Sequence, residues 1–170
     1  MKFSCEKAML QTACTVASRA VASKSPIPAV EGILLEAGAC LRVTGYDLKK
    51  AIYTDSEAVV DQPGSIVLNS RLFGEIIRRL PDGTVTIASD ENNAVSLKCG
   101  KISYNIMGMD PSDYPELPRM NENNSFSLPQ EKLKKMINQT IFAISTNDMR
   151  PIYTGTLFDV ENDTLTMVSI

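Results

Sequence analysis

The sequence predicts an α+β fold built from repeated β-α-β-β-β units, two to a domain, with the two helices on one face of the sheet. Three observations carry this expectation. The first is an internal repeat. Phe3-Ser4 returns as Phe126-Ser127, Leu10 as Leu133, Ala20 as Ala143, Pro28 as Pro151, Gly32 as Gly155 and Leu34 as Leu157, always 123 residues apart and without a gap. The second is that each one-faced helical pattern is preceded by a short strand-like run and followed by several more. The third is the punctuation: Ser25-Pro26-Ile27-Pro28, Pro81-Asp82-Gly83 and Asp90-Glu91-Asn92-Asn93 divide the runs where proline, glycine and asparagine favour turns.

Taken in order, Met1 to Cys5 reads as a strand, and Lys7 to about Ala22 as a helix with Leu10, Ala13, Cys14, Ala17, Ala20 and Val21 on one side. Strands are expected at 32–37, 40–44, 51–56 and 65–68. A second helix is expected over 70–80, with Leu72, Phe73, Ile76, Ile77 and Leu80 on one side. Strands at 84–88, 94–99 and 102–107 complete two units and a sheet of about eight strands. Residues 108–124, rich in Pro, Asp, Glu and Asn, read as a linker. A strand at 126–128, a helix at 130–145 and strands at 155–160 and 165–169 then begin a second copy. That copy reaches only its first third by Ile170, so the chain is expected to be a piece of a longer protein.

Composition bounds the function classes. The chain has 170 residues, is 44% hydrophobic and 22% charged, and contains no histidine. The commonest general base and the commonest nitrogen metal ligand are therefore missing. Cys5, Cys14, Cys40 and Cys99 show no CxxC spacing and read as reduced thiols of a cytoplasmic protein. No apolar run approaches membrane-spanning length, and the N-terminus lacks a signal-peptide pattern. An enzyme is disfavoured: its best candidates, Asp110 and Asp113 with Lys101, sit beside a Pro-rich stretch with no nucleophile or phosphate-cradling loop.

The net charge is only −3, but it is unevenly distributed. The helical segments 7–24, 70–80 and 130–145 hold nine basic residues (Lys7, Arg19, Lys24, Arg71, Arg78, Arg79, Lys132, Lys134 and Lys135) against two acidic ones, Glu75 and Glu131. They carry +7, and the rest of the chain carries −10. Basic helices on an acidic protein imply a positive side that attracts a polyanion through counterion release, without reading bases. The competing reading is a repeat-built protein-interaction module whose basic helices are simply solvated. Salt-sensitive DNA binding separates the two. No aromatic interleaving suggests single-strand stacking.

Several motifs then resemble one family. They are Met1-Lys2-Phe3, Ser25-Pro26-Ile27-Pro28 before Gly32-Ile33-Leu34-Leu35, Val43-Thr44-Gly45-Tyr46-Asp47-Leu48, Asp110-Pro111-Ser112-Asp113-Tyr114-Pro115, Phe126-Ser127-Leu128-Pro129 and Arg150-Pro151-Ile152-Tyr153-Thr154-Gly155. Together they resemble the bacterial DNA polymerase III β subunits, the sliding clamps, from residue 1 to residue 170.

The resemblance implies a DNA-clamp (processivity) fold with clamp domain 1 at 1–107, a linker at 108–124 and the start of clamp domain 2 at 125–170. It implies a non-catalytic, cofactor-free subunit whose full-length form is a head-to-tail homodimer ring around double-stranded DNA. That ring tethers the replicative polymerase and is handled by a clamp loader, both through peptide motifs. It further implies DNA contacts at Lys24, Arg71 and Asn147, joined by Arg78 and Arg79 from the basic second helix. A dimer edge is implied at Lys101, Ser103, Tyr104 and Ile106, and a partial peptide pocket at Arg150, Tyr153 and Ile170. The family's next motif, Gly/Ser-His-Arg-Leu, is expected directly after Ile170.

Overall fold

The computed structural model describes residues 1–118, 125–147 and 149–170. The chain divides into two units, Met1–Arg119 and Met120–Ile170.

The first unit contains β1 (Lys2–Glu6), α1 (Lys7–Ala17), β2 (Gly32–Ala37), β3 (Leu41–Tyr46), β4 (Ala51–Ser56), β5 (Val59–Gln62), β6 (Gly64–Asn69), α2 (Ser70–Arg79), β7 (Thr84–Ser89), β8 (Ala94–Cys99) and β9 (Ile102–Met107). These nine strands form two antiparallel sheets rather than one: β5-β1-β7-β8-β9 and β4-β3-β2-β6. The strand that opens each helical unit crosses to the sheet of the other unit. β1 pairs with β7, the strand after α2, and β6 pairs with β2, the strand following α1. This exchange ties the two β-α-β-β-β halves of the first unit into one core.

Strand alternation supplies the core from both sheets. Phe3 and Cys5 on β1, Ile33 and Leu35 on β2, Leu41 and Val43 on β3, Val85 and Ile87 on β7 and Val95 and Leu97 on β8 are buried with Leu10, Ala13, Cys14, Phe73, Ile76 and Ile77 from the helices. α1 lies against β3 and β4, α2 against β2 and β6, and the helices touch each other. Each large apolar side chain so buried contributes about 1.5–3 kcal/mol.

The helix starts have different causes. Asn69 Oδ1 accepts from the Leu72 amide at 3.0 Å and caps α2. α1 has no side-chain cap; its Lys7 amide instead donates to the Gly83 carbonyl at 2.9 Å.

Four expectations are corrected. The first helix is α-helical only to Ala17 and tightens into a 3₁₀ turn at Ser18–Ala20. Residues 59–62 form a strand that the short, exposed Val-Val-Asp-Gln run does not announce; the β1 edge supplies its hydrogen bonds. No strand forms at 126–128: β1, the repeat equivalent, owes its pairing to β5 and β7, and the described residues of the second unit hold no counterpart of either. The expected linker is, over residues 108–117, part of the first unit. Gly108 N donates to Asn93 O at 2.8 Å, and Met109 exchanges two backbone hydrogen bonds with Val67. Tyr114 is buried in a second small cluster with Ala29, Tyr46 and Val67.

The second unit contains α3 (Gln130–Thr140), β10 (Leu157–Glu161) and β11 (Thr164–Val168). The 123-residue repeat is visible element by element. α3 matches α1 end to end, the 3₁₀ turn 141–143 matches 18–20, and 151–154 matches 28–31. Even a single hydrogen bond recurs: Ala22 N to Val30 O at 3.1 Å becomes Ser145 N to Tyr153 O at 2.9 Å. Asn162 and Asp163, both at positive φ, make the tight β10–β11 turn, as a two-residue hairpin requires. Leu10 is fully buried in the first unit, whereas its equivalent Leu133 is half-buried.

Candidate nucleic-acid interface

In the first unit, the outer surfaces of α1 and α2 border a groove of about 710 Å³. From α1 come Gln11 and Thr15, with Ser18 just beyond its end; from α2 come Ser70, Arg71 and Arg78. Two hydroxyls join the helices across its floor. Ser18 Oγ donates to Cys14 O at 2.6 Å, which leaves it to accept from Ser70 Oγ at 2.9 Å. Ser70 is thereby satisfied although it is 8% exposed.

The cations stand at the rim. Arg71 is nearly fully exposed and, among the described residues, pairs only with Glu75, one turn on, at 3.4 Å. Such an exposed pair is worth well under about 1 kcal/mol and yields readily to a stronger anion. Arg78 Nε donates to the Gly74 carbonyl at 3.2 Å, which steadies the stem while the side chain stays exposed. Arg79 is exposed beside it; both sit in the last turn of α2, where cations complement the helix dipole. Lys24 is exposed in the segment after the 3₁₀ turn and does not line the groove. Lys7, counted among the basic residues, is turned to another use: it pairs with Asp82 at 3.3 Å and is largely covered.

The sequence does not single out the groove's polar floor. Its signal is the helical spacing of Gln11, Thr15 and Ser18, a polar stripe beside the apolar face.

In the second unit, Lys132, Lys134 and Lys135 are exposed on α3. Asn147 occupies the repeat position of Lys24. Its side-chain oxygen accepts from the Met149 amide at 3.0 Å, and its own amide donates to Ser145 Oγ at 3.1 Å. Arg150 lies with its guanidinium 5.9 Å from the ring centre of Tyr153, a loose cation–π contact, and Ile170, just past β11, is exposed.

β9 is the outer strand of its sheet, hydrogen-bonded on one side by β8. Lys101 and Ser103 are exposed. Tyr104 and Ile106 are half-buried, opposite Leu97 and Val95, and pack on the main core. Among the described residues no group of His, Cys, Asp or Glu could hold a metal ion, and no helix is long and apolar enough to cross a membrane.

Two antiparallel sheets tied together by exchanged strands, with paired helices presenting exposed cations around a polar groove, define a helix-faced scaffold domain. Comparison with known proteins identifies its kind. Residues 1–118 match the DNA polymerase III beta subunit, N-terminal domain, and residues 127–170 match the central domain of the same subunit. The chain belongs to the DNA polymerase III beta subunit family.

It is 37% identical to the beta sliding clamp of Bacillus subtilis over 97% of this chain and 46% of that protein. It is 32% identical to that of Synechocystis over 97% and 44%. Among solved structures, a DNA polymerase III beta subunit from Eubacterium rectale superposes with a TM-score of 0.96 at 34% identity, covering all of this chain and 47% of that one. The Bacillus subtilis sliding clamp superposes with 0.95, also at 34% identity, over 99% and 47%. The chain thus spans just under half the length of these relatives.

Proposed function

We propose that this chain is the N-terminal part of a non-catalytic sliding-clamp subunit that acts in the cytoplasm. In its full-length form the subunit closes a head-to-tail homodimer ring around duplex DNA and confers processivity on the replicative polymerase. The observation that carries the reading is the α1–α2 face, with Arg71 and Arg78 at the rim of a groove floored by hydroxyls and Gln11, on a chain whose remainder is acidic. Such a face holds phosphates without base contacts, so the ring stays on DNA and still slides.

Lys24, Arg71, Arg78, Arg79 and Asn147 are the DNA-contacting residues of this reading. β9, with Lys101 and Ser103 exposed and Tyr104 and Ile106 half-buried, offers unpaired backbone groups for a second subunit. Arg150, Tyr153 and Ile170 contribute to the pocket that takes the peptide motifs of the polymerase and the clamp loader.

The test is Lys24→Glu with Arg71→Glu in the full-length protein. Retention on circular duplex DNA after loading should fall while the thermal midpoint stays unchanged. Undiminished retention would remove the helical face from the mechanism, and salt-independent association would favour a protein-interaction module instead.

A further inference from the structure

We propose that the tip of the β3–β4 hairpin, residues 47–50, is an additional phosphate-contacting element that extends the cationic surface beyond the end of α1, with Lys49 its leading charge. This rests on the duplex-DNA reading above.

The placement comes from Gly45. A Cβ there would overlap the carbonyl oxygen of Ala17, the last residue of α1, and would lie 3.2 Å from Val21 Cγ2. Only a glycine lets β3 run this close to the helix end. Gly45 pairs with Ile52 and Tyr46 with Ala51, so the four-residue tip follows directly on the strand that abuts the helix. The tip therefore lies at the same end of the unit as Arg19 and the segment carrying Lys24.

The tip is ordered rather than loose. Asp47 Oδ1 accepts from the amides of Lys49 and Lys50 at 3.0 and 2.8 Å. Asp47 N donates to Lys50 O at 3.2 Å, and Leu48 sits at φ 73°. A leucine in that left-handed region is uncommon and persists where the surroundings fix it. Leu48, Lys49 and Lys50 are all exposed on this turn. A rigid presenter loses little entropy when its cation meets a phosphate.

The charge is sorted at the tip as well. Lys50 is engaged by the carboxylate of Asp47, which its side chain and the two amides hold down to about 2. The one acid of the tip is thus matched by one of its two lysines. Among the described residues, Lys49, Lys24 and Arg19 have no carboxylate within salt-bridge distance, while Glu31 nearby accepts from the Ser25 amide. The surplus at this end is cationic. It is legible as the Asp-Leu-Lys-Lys run only once the hairpin is placed beside α1.

The experiment is a salt series of duplex binding by the full-length protein, read by fluorescence anisotropy, with Lys49→Ala, Lys24→Ala and Lys98→Ala. Lys98 is an exposed lysine on β8, away from the hairpin. Each phosphate contact removed should lower the slope of log affinity against log salt by about 0.9. The expected result is that Lys49→Ala and Lys24→Ala each lower the slope by about that amount, while Lys98→Ala leaves it unchanged. A wild-type slope for Lys49→Ala beside a reduced one for Lys24→Ala would overturn this inference and spare the DNA reading. An equal reduction in Lys98→Ala would also overturn it, as an effect of net charge alone. Unchanged slopes in both Lys49→Ala and Lys24→Ala would overturn the inference together with the DNA reading.

Discussion

The hydroxyl of Tyr114 donates to the backbone carbonyl of Thr44 at 3.4 Å, joining residues 70 positions apart and fastening the 108–117 segment over β3. The bond is long, so most of the fastening comes from burial of the ring among Ala29, Tyr46 and Val67. Tyr114→Phe should cost no more than about 1 kcal/mol, whereas Tyr114→Ala should cost about 3–5 kcal/mol. Urea unfolding of the two variants checks this. Equal losses would mean that the hydroxyl, not the ring, holds the strap.

Thr44 carries a second consequence. Its Oγ1 is buried without a hydrogen-bond partner among the described residues, while its carbonyl serves Tyr114. Thr44→Val keeps the shape and removes the unsatisfied hydroxyl. Stability should stay level or rise by up to about 1 kcal/mol. A clear loss of thermal midpoint would show that the hydroxyl has a role of its own.

Alkaline pH tests the same strap from another side. Burial pushes the Tyr114 phenol up to about 12 from an ordinary value of 10.0. An acid whose folded pKa is raised resists ionisation in the folded state, so its stabilising effect is complete below the unfolded pKa. That effect is lost as pH rises from about 10 through about 12. Unfolding midpoints followed across this window should fall less steeply in Tyr114→Phe than in the wild type; parallel curves would place the phenol in water.

How much of this was legible in the sequence depends on period and partners. The helices at 7–17, 70–79 and 130–140 follow from one-faced spacing, and the repeat locates the third from the first. Strands buried on one face, such as 94–99, show clean alternation. What the sequence hides is whatever a remote partner decides. Val59–Gln62 becomes a strand because β1 offers an edge, and 126–128 does not because no such edge is present among the described residues. The exchange of β1 and β6 between sheets leaves no local mark. In the site, the rim cations Arg71 and Arg78 are readable from helix spacing, but the Ser18–Ser70 bridge needs two helices brought together. Tyr114 looks like part of a polar linker until Thr44 and Val67 are placed beneath it.

The cysteines should differ in reactivity. Burial pushes the Cys5 thiol up to about 11, and that of Cys14 up to about 12, while Cys40 is half-exposed in the β2–β3 turn. The thiolate is the reactive form, so in the native protein an alkylating reagent near neutral pH should label Cys40 first. Peptide mapping by mass spectrometry checks the order. Early modification of Cys14 would mean that α1 opens far more readily than its packing implies.

Gly45 should tolerate no side chain. Gly45→Ala drives a methyl into the Ala17 carbonyl and must separate β3 from α1, a cost of about 1–3 kcal/mol or more. Gly74, where a Cβ meets nothing, is the control: Gly74→Ala in the middle of α2 should be neutral or stabilising by up to about 1 kcal/mol. Thermal unfolding of the pair gives the answer, and equal midpoints would refute the close approach of strand and helix.

The proposed assembly edge on β9 needs a variant that spares the core. Tyr104 and Ile106 face Leu97 and Val95, so truncating them removes packing within the subunit as well as any contact across an interface. Ring loss in Tyr104→Ala with Ile106→Ala would therefore mix two causes, with about 1–3 kcal/mol of the effect belonging to the fold. Lys101 is exposed at the turn into β9, and no carboxylate of the described residues lies within salt-bridge distance of it. In the full-length protein, Lys101→Glu should leave the thermal midpoint of the isolated subunit unchanged and shift sedimentation from dimer toward monomer. The shift should be larger at low salt, because charge opposition at an interface rim is screened over about 10 Å at 0.1 M. A dimer that resists both Lys101→Glu and the Tyr104–Ile106 double variant would move the interface off β9 altogether.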